Sequence, residues 1–340
     1  MSDLLILTRA VHFGAVLWLF GELAFFSFIL GPALRGVLSS PSEGIEWGRR
    51  LVRVASLLLA VGIASAVAWL LLEAANMSGV ALAMAIDRDT LGVVLRETFF
   101  GRVWSARFAI SILLGATVWL MWRKRLASIH RSALVAATLL AASYAATLAG
   151  SGHAAANAGV DRWVHLGSDA VHLLAAGAWI GALPVLVSLL RRTVNTEHAA
   201  QFALGVETIR RFSAFGMVSV GGLLLTGLVN AFYLLGSLAA LSGTDYGRML
   251  SLKIVLFVIM VALAAVNRLR LTPKLVVSAR SAGESAGRSA LARVRRNALL
   301  EMAGGIAIIG IVAALGITTP AVHMPGSVGA HSMPSGGQTR

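Results

Sequence analysis

Hydrophobic residues along the chain gather into eight runs, each close to the ~20 apolar residues that a helix needs to cross a bilayer. They lie near residues 4–31, 52–75, 106–122, 132–151, 163–190, 212–236, 250–267 and 297–317, and short polar or basic stretches separate them. This pattern predicts an all-α, polytopic membrane protein of about eight transmembrane helices. Composition agrees: 57% of residues are hydrophobic and 13% charged, with a mean hydropathy of +0.81, outside the range of soluble domains. The first run has no basic segment before it and is too long for a signal-peptide core, so we expect it to be a retained helix.

The formal charge of +14 changes the picture through its distribution. Most of the 29 basic residues precede the second, fourth, sixth and eighth runs: Arg35, Arg49, Arg50 and Arg53; Arg123, Lys124, Arg125 and Arg131; Arg191, Arg192, Arg210 and Arg211; and eight between 268 and 296. By the positive-inside rule these connections are cytoplasmic, which places both termini outside. The basic charge is thus accounted for by the lipid bilayer, and no nucleic-acid partner is expected. The chain has no cysteine, which excludes a disulfide framework and thiolate metal sites. It also lacks a P-loop, a Gly-x-Ser-x-Gly elbow and a His-Glu-x-x-His helix, so neither ATP-driven pumping by this chain alone nor enzymatic catalysis is expected.

The chain repeats itself. AVHFGAVLWLFG from Ala10 resembles AVHLLAAGAWIG from Ala170, each with a glycine nine residues after its histidine (His12 to Gly21, His172 to Gly181). TFFGRVWSAR from Thr98 resembles TDYGRMLSLK from Thr244. Arg49-Arg50 and Arg210-Arg211 recur at the same order, as do the openings at Arg131 and Arg296. We expect an internal parallel repeat of two four-helix halves, residues 1–155 and 156–317, followed by a periplasmic tail, 318–340, whose Pro, Gly and Ser content reads as disorder. Between the second and third runs, an amphipathic stretch with Asp87, Arg88, Asp89, Arg96 and Glu97 reads as a cap on the bundle or as a gate.

Polar residues inside these runs carry the candidate chemistry. His165, Asp169 and His172 share one helical face at 4- and 3-residue spacing. With His12 and His153 they fall at one depth, near the outer surface. Alone, each histidine also reads as a neutral imidazole bonded to a neighbouring helix; together they suggest a shared site. Asp169 is either a metal ligand, a carboxylate orienting an imidazole, or the ion-pair partner of Arg107 or Lys253. Glu22, near mid-membrane, reads as a relay for a proton or cation or as a protonated structural group. Asn230 and Tyr233 are lining candidates, and Gly177 and Gly181 read as points of close helix contact. In the tail, His323-Met324 and His331 with Met333 pair imidazole with thioether, a combination suited to copper as Cu+ or Cu2+.

GHAAA from Gly152, SDAVHLLAAGAWIGAL from Ser168, YGRMLSLKIVLFVIM from Tyr246 with NRLRLTPKL after it, and RRNALLEMAGG resemble the CopD family of bacterial copper-resistance membrane proteins. Resemblance is strongest over the last four helices. It implies an inner (plasma) membrane protein that handles copper on the periplasmic side and moves it into the cytoplasm, in partnership with a periplasmic CopC-like copper-binding protein. His153 and His172 match the family motifs, with His12 as the repeat mate. The expected function is copper binding at the outer histidine cluster and passage inward between the halves. The alternative is a haem b redox protein, with His12 and His172 as axial ligands on facing helices.

Overall fold

The computed structural model describes residues 2–37, 41–79, 82–85, 87–123, 131–152, 159–194, 198–235, 239–280 and 284–319. Eight helices are long and apolar enough to cross a membrane: α1 Ser2–Val37, α2 Ser42–Ser78, α3 Phe99–Arg123, α4 Arg131–Ser151, α5 Gly159–Val194, α6 Ala199–Leu235, α7 Asp245–Ala279 and α8 Ala286–Leu315. Among the described residues there is no strand. The protein is an all-α polytopic membrane protein.

Burial separates the helices into two kinds. α1 and α5 are central, with 78% and 67% of their most apolar stretches buried, whereas α6 and α7 have 11% and 6%. The peripheral helices turn Leu225, Leu228, Phe232, Val255 and Val258 outward, the composition of a surface in contact with lipid chains. Around α1 pack α2, α4, α5 and α8; α3 closes against α2 and α4. α5 carries α6 on one flank and α8 on the other, while α6 meets α7 chiefly at the far end of α7, from Arg268 onward.

Glycine sets the centre. A Cβ at Gly21 of α1 would overlap the carbonyl oxygen of Gly177 and the backbone of Gly181 on α5, and one at Gly181 would overlap the carbonyl oxygen of Leu17. The two helix backbones therefore touch, which is how small residues let membrane helices associate by dispersion rather than by the hydrophobic effect.

Two helix starts share one local geometry. Thr98 Oγ1 accepts from Gly101 N at 2.9 Å, and Thr244 Oγ1 accepts from Gly247 N at 2.9 Å. Each hydroxyl satisfies an otherwise orphaned N–H of the first turn. In both cases a short helix just upstream, Arg88–Glu97 or Ala240–Gly243, runs so close that a Cβ on the glycine would overlap its backbone. The Arg88–Glu97 helix is thus packed on the bundle as a cap, with Val94 in the core.

Candidate functional site

The three polar residues of α5 open into a cavity of about 430 Å³ between α5, α6, α7 and α8, at the end of the bundle where α1 begins and α8 ends. His165, Asp169 and His172 line it from α5, Asn230 from α6, Tyr246 and Lys253 from α7, and Arg9 from α1. Helical spacing alone brings the α5 residues to one wall; the cross-helix partners decide their chemistry.

His172 Nδ1 lies 2.9 Å from Thr226 Oγ1. That hydroxyl has one proton, and it donates it to Gly222 O at 2.6 Å, so it accepts from the imidazole. The tautomer follows: Nδ1 carries hydrogen and Nε2 keeps its lone pair. An imidazole anchored through one nitrogen with the other left as a donor atom is the arrangement found in metal-ligating histidines.

Asp169 Oδ1 accepts from Asn230 Nδ2 at 3.3 Å, and Asn230 Oδ1 is buried without a partner. Lys253 shares the cavity and interacts electrostatically with both Asp169 and His172, yet makes no direct ion pair among the described residues. Of the two cations considered for Asp169, Lys253 is the one that faces it. Arg107 is engaged elsewhere: Nε donates to Thr147 Oγ1 at 3.0 Å, and Nη2 to Thr147 O at 2.8 Å and Ser151 Oγ at 2.9 Å. It caps the carbonyl end of α4, where the helix dipole favours a cation. His165 is buried and stacks on Tyr233, ring centroids 4.7 Å apart at 10°, and Tyr233 Oη donates to Asp161 Oδ1 at 3.4 Å.

His12 stands in a different place. It is fully buried among α1–α4 and does not line the cavity that holds His165 and His172. Its Nδ1 lies 3.0 Å from Gly62 O and 3.0 Å from Ser65 Oγ. A carbonyl only accepts, so here too Nδ1 carries the hydrogen. Trp69, Trp104 and Tyr144 enclose the ring at centroid distances of 5.6, 6.0 and 6.1 Å. Arg9 lies over Trp69 at 4.6 Å and Arg107 over Trp104 at 4.4 Å. His12 Nε2, both indole N–H groups, Tyr144 Oη, Arg9 Nε and Arg107 Nη1 are buried without partners. The single outer histidine cluster expected from depth is therefore two places in the structure. Because His12 and His172 do not face one cavity, the geometry for a haem bridging them is not formed.

Among the described residues no three His, Asp or Glu side chains are grouped to hold a metal ion. His153, His323, Met324, His331 and Met333 lie outside the described residues. Gly152, the chain neighbour of His153, lines the cavity, and a Cβ there would sit 3.8 Å from Asp169 Oδ2. Glu22 is buried in α1 with Oε2 unpartnered and does not line this cavity.

The sequence profile for copper resistance protein D matches residues 206–315, and that for the copper resistance protein D-like N-terminal domain matches residues 1–164. The copper resistance protein D of Pseudomonas syringae pv. tomato is 30% identical over 264 residues, covering 76% of this chain and 82% of that protein. The chain belongs to the copper resistance protein D family. It is also similar to the inner membrane protein YebZ of Escherichia coli K12, 28% identical over 276 residues, 78% of this chain and 84% of that one. The copper transport protein CutJ of Bacillus subtilis 168 is 32% identical over 177 residues, 51% of this chain but 32% of CutJ. No solved structure matches the chain. Within this family frame the site gains residues that composition and spacing alone do not single out: Thr226, Arg9 and Tyr246. Thr226 was within reach, because it stands 161 residues after Ser65, nearly the same offset that separates His172 from His12.

Proposed function

We propose that the chain is a copper transporter of the bacterial inner membrane rather than an enzyme. Copper enters the cavity between α5 and α8 from the periplasm and is held by His172 Nε2 with the Asp169 carboxylate, and it is passed toward the cytoplasm. The observation that carries this reading is the fixed tautomer of His172, which leaves an unprotonated nitrogen at a cavity lined by a carboxylate. His153 completes the ligand set in this proposal, on the grounds that its neighbour Gly152 lines the same wall. The names of two relatives, a copper resistance protein and a copper transport protein, favour copper as cargo.

The same proposal has both termini in the periplasm, in line with the positive-inside bias of the basic connections, and takes residues 1–155 and 156–317 as related halves. Supporting the latter are the matched Thr98 and Thr244 starts and the matched His–hydroxyl pairs on α1–α2 and α5–α6. The path lies within the C-terminal half; among the described residues before α5, Arg9, Phe13, Leu148 and Gly152 line the cavity. His323, Met324, His331 and Met333 would receive copper from a separate CopC-like protein. The test is metal analysis of purified protein with and without His153→Ala and His172→Ala. Loss of copper from the double variant is expected; unchanged stoichiometry overturns the site.

A further inference from the structure

Below the first cavity lies a second, of about 390 Å³, between the same four helices but toward the face that bears the basic connections. Trp179 and Leu224 line both. Lining both cavities and 1% exposed, Trp179 stands as the septum between them. Its indole N–H donates to Glu301 Oε2 at 3.2 Å, and Glu301 Oε1 accepts from Asn267 Nδ2 at 3.0 Å. Asn267 Oδ1 in turn accepts from Asn297 Nδ2 at 2.8 Å.

Glu301 is 2% exposed, and an ionisable residue buried inside a membrane bundle points to an ion or proton path. Arg268 lines the same cavity but donates to Ser213 Oγ at 3.0 Å and forms no ion pair with Glu301. Asn267 begins a π-helical turn, Asn267–Leu271, a local departure that concentrates at functional sites. Thioethers stand on either side of the septum, Met260 in the upper cavity and Met217 in the lower, and thioether sulfur suits a soft cation.

We propose that the lower cavity is a second metal-cation station, with the Glu301 carboxylate as its anionic ligand and Trp179 as the gate above it. This rests on the copper reading given above. When the indole swings aside to let a cation through, its N–H leaves Glu301, and Oε2 is freed for the arriving ion. Opening of the gate and exposure of the receiving ligand are then one movement.

Because the chain has no cysteine, single cysteines report each cavity separately. Ala231→Cys in the upper and Ala265→Cys in the lower cavity, in the full chain in copper-free proteoliposomes, are expected to react with an impermeant maleimide from opposite faces. Adding Trp179→Ala should make Ala265→Cys reactive from both. Glu301→Gln should lower Cu+ flux at least tenfold while leaving the His172-dependent copper affinity unchanged, and Glu301→Asp should restore part of the flux. Reaction of both cysteines from one face, no effect of Trp179→Ala, or wild-type flux in Glu301→Gln overturns the proposal. If wild-type vesicles bind copper and carry none, the transport reading fails instead, and the labelling pattern alone decides whether the two cavities form one interrupted path.

Discussion

The hydroxyl of Thr226 on α6 holds the imidazole of His172 on α5 as an Nδ1–H tautomer, 2.9 Å away, because its own proton is committed to Gly222 O. Ser65 on α2 does the same for His12 on α1, helped by Gly62 O. Two histidines with the same chemistry therefore differ only in what surrounds Nε2: one lines a cavity, the other is enclosed by indoles.

Removing the anchor should weaken copper binding without removing the ligand. Thr226→Val is expected to lower copper affinity about 10- to 100-fold, the range seen when a group orienting a metal-bound histidine is lost. Thr226→Ser should restore it. Isothermal titration of the purified protein gives both numbers, and equal affinities for wild type and Thr226→Val would show that the tautomer lock is irrelevant.

Lys253 sets a charge against the incoming cation. Replacing it by Met keeps the length of the side chain and removes the charge, so copper affinity should rise about tenfold, which corresponds to about 1.4 kcal/mol. Asp169→Asn should move it the other way. A competition titration with a chromophoric chelator reads both; a fall in affinity for Lys253→Met would mean that the ammonium group supports the site instead of opposing it.

His12 and His172 are expected to separate by phenotype. His12→Ala opens a hole beside Trp69 and Trp104 and removes the α1–α2 bond, so thermal stability should drop by roughly 2–4 kcal/mol, the cost of a large-to-small change in a packed core, with copper stoichiometry intact. His172→Ala should do the reverse. Copper loss in His12→Ala at full stability would place the metal in the enclosed pocket.

At the α1–α5 crossing even one methyl group has no room. Gly21→Ala and Gly181→Ala should each cost about 1–3 kcal/mol or more, since overpacking against backbone cannot be relieved by a rotamer change. Gly14→Ala, where nothing lies within 4 Å of the added carbon, is the control and should leave thermal unfolding in detergent unchanged.

Hydropathy was enough to find all eight spans and the all-α class, because membrane-crossing helices must be long and apolar. Their ends were not legible. α1 extends from Ser2 to Val37 and α2 from Ser42 to Ser78, well beyond the apolar runs, because helix continues through polar residues outside the hydrocarbon. The shared helical face was legible as well: His165, Asp169 and His172 line one cavity. Lateral position was not. Nothing in the spacing of His12 says that α2, α3 and α4 wrap it while α6 and α7 leave room beside His172. Likewise Arg107 and Lys253 occupy matching places in sequence, yet Arg107 closes the end of α4 and Lys253 faces Asp169.

The backbone contact between Gly21 and Gly181 has a mechanical meaning. Two helices that interlock without side chains between them cannot slide or part by small steps, so α1 and α5 form a fixed post through the molecule. Beyond this post, the outer helices α6 and α7 have only 11% and 6% of their most apolar stretches buried.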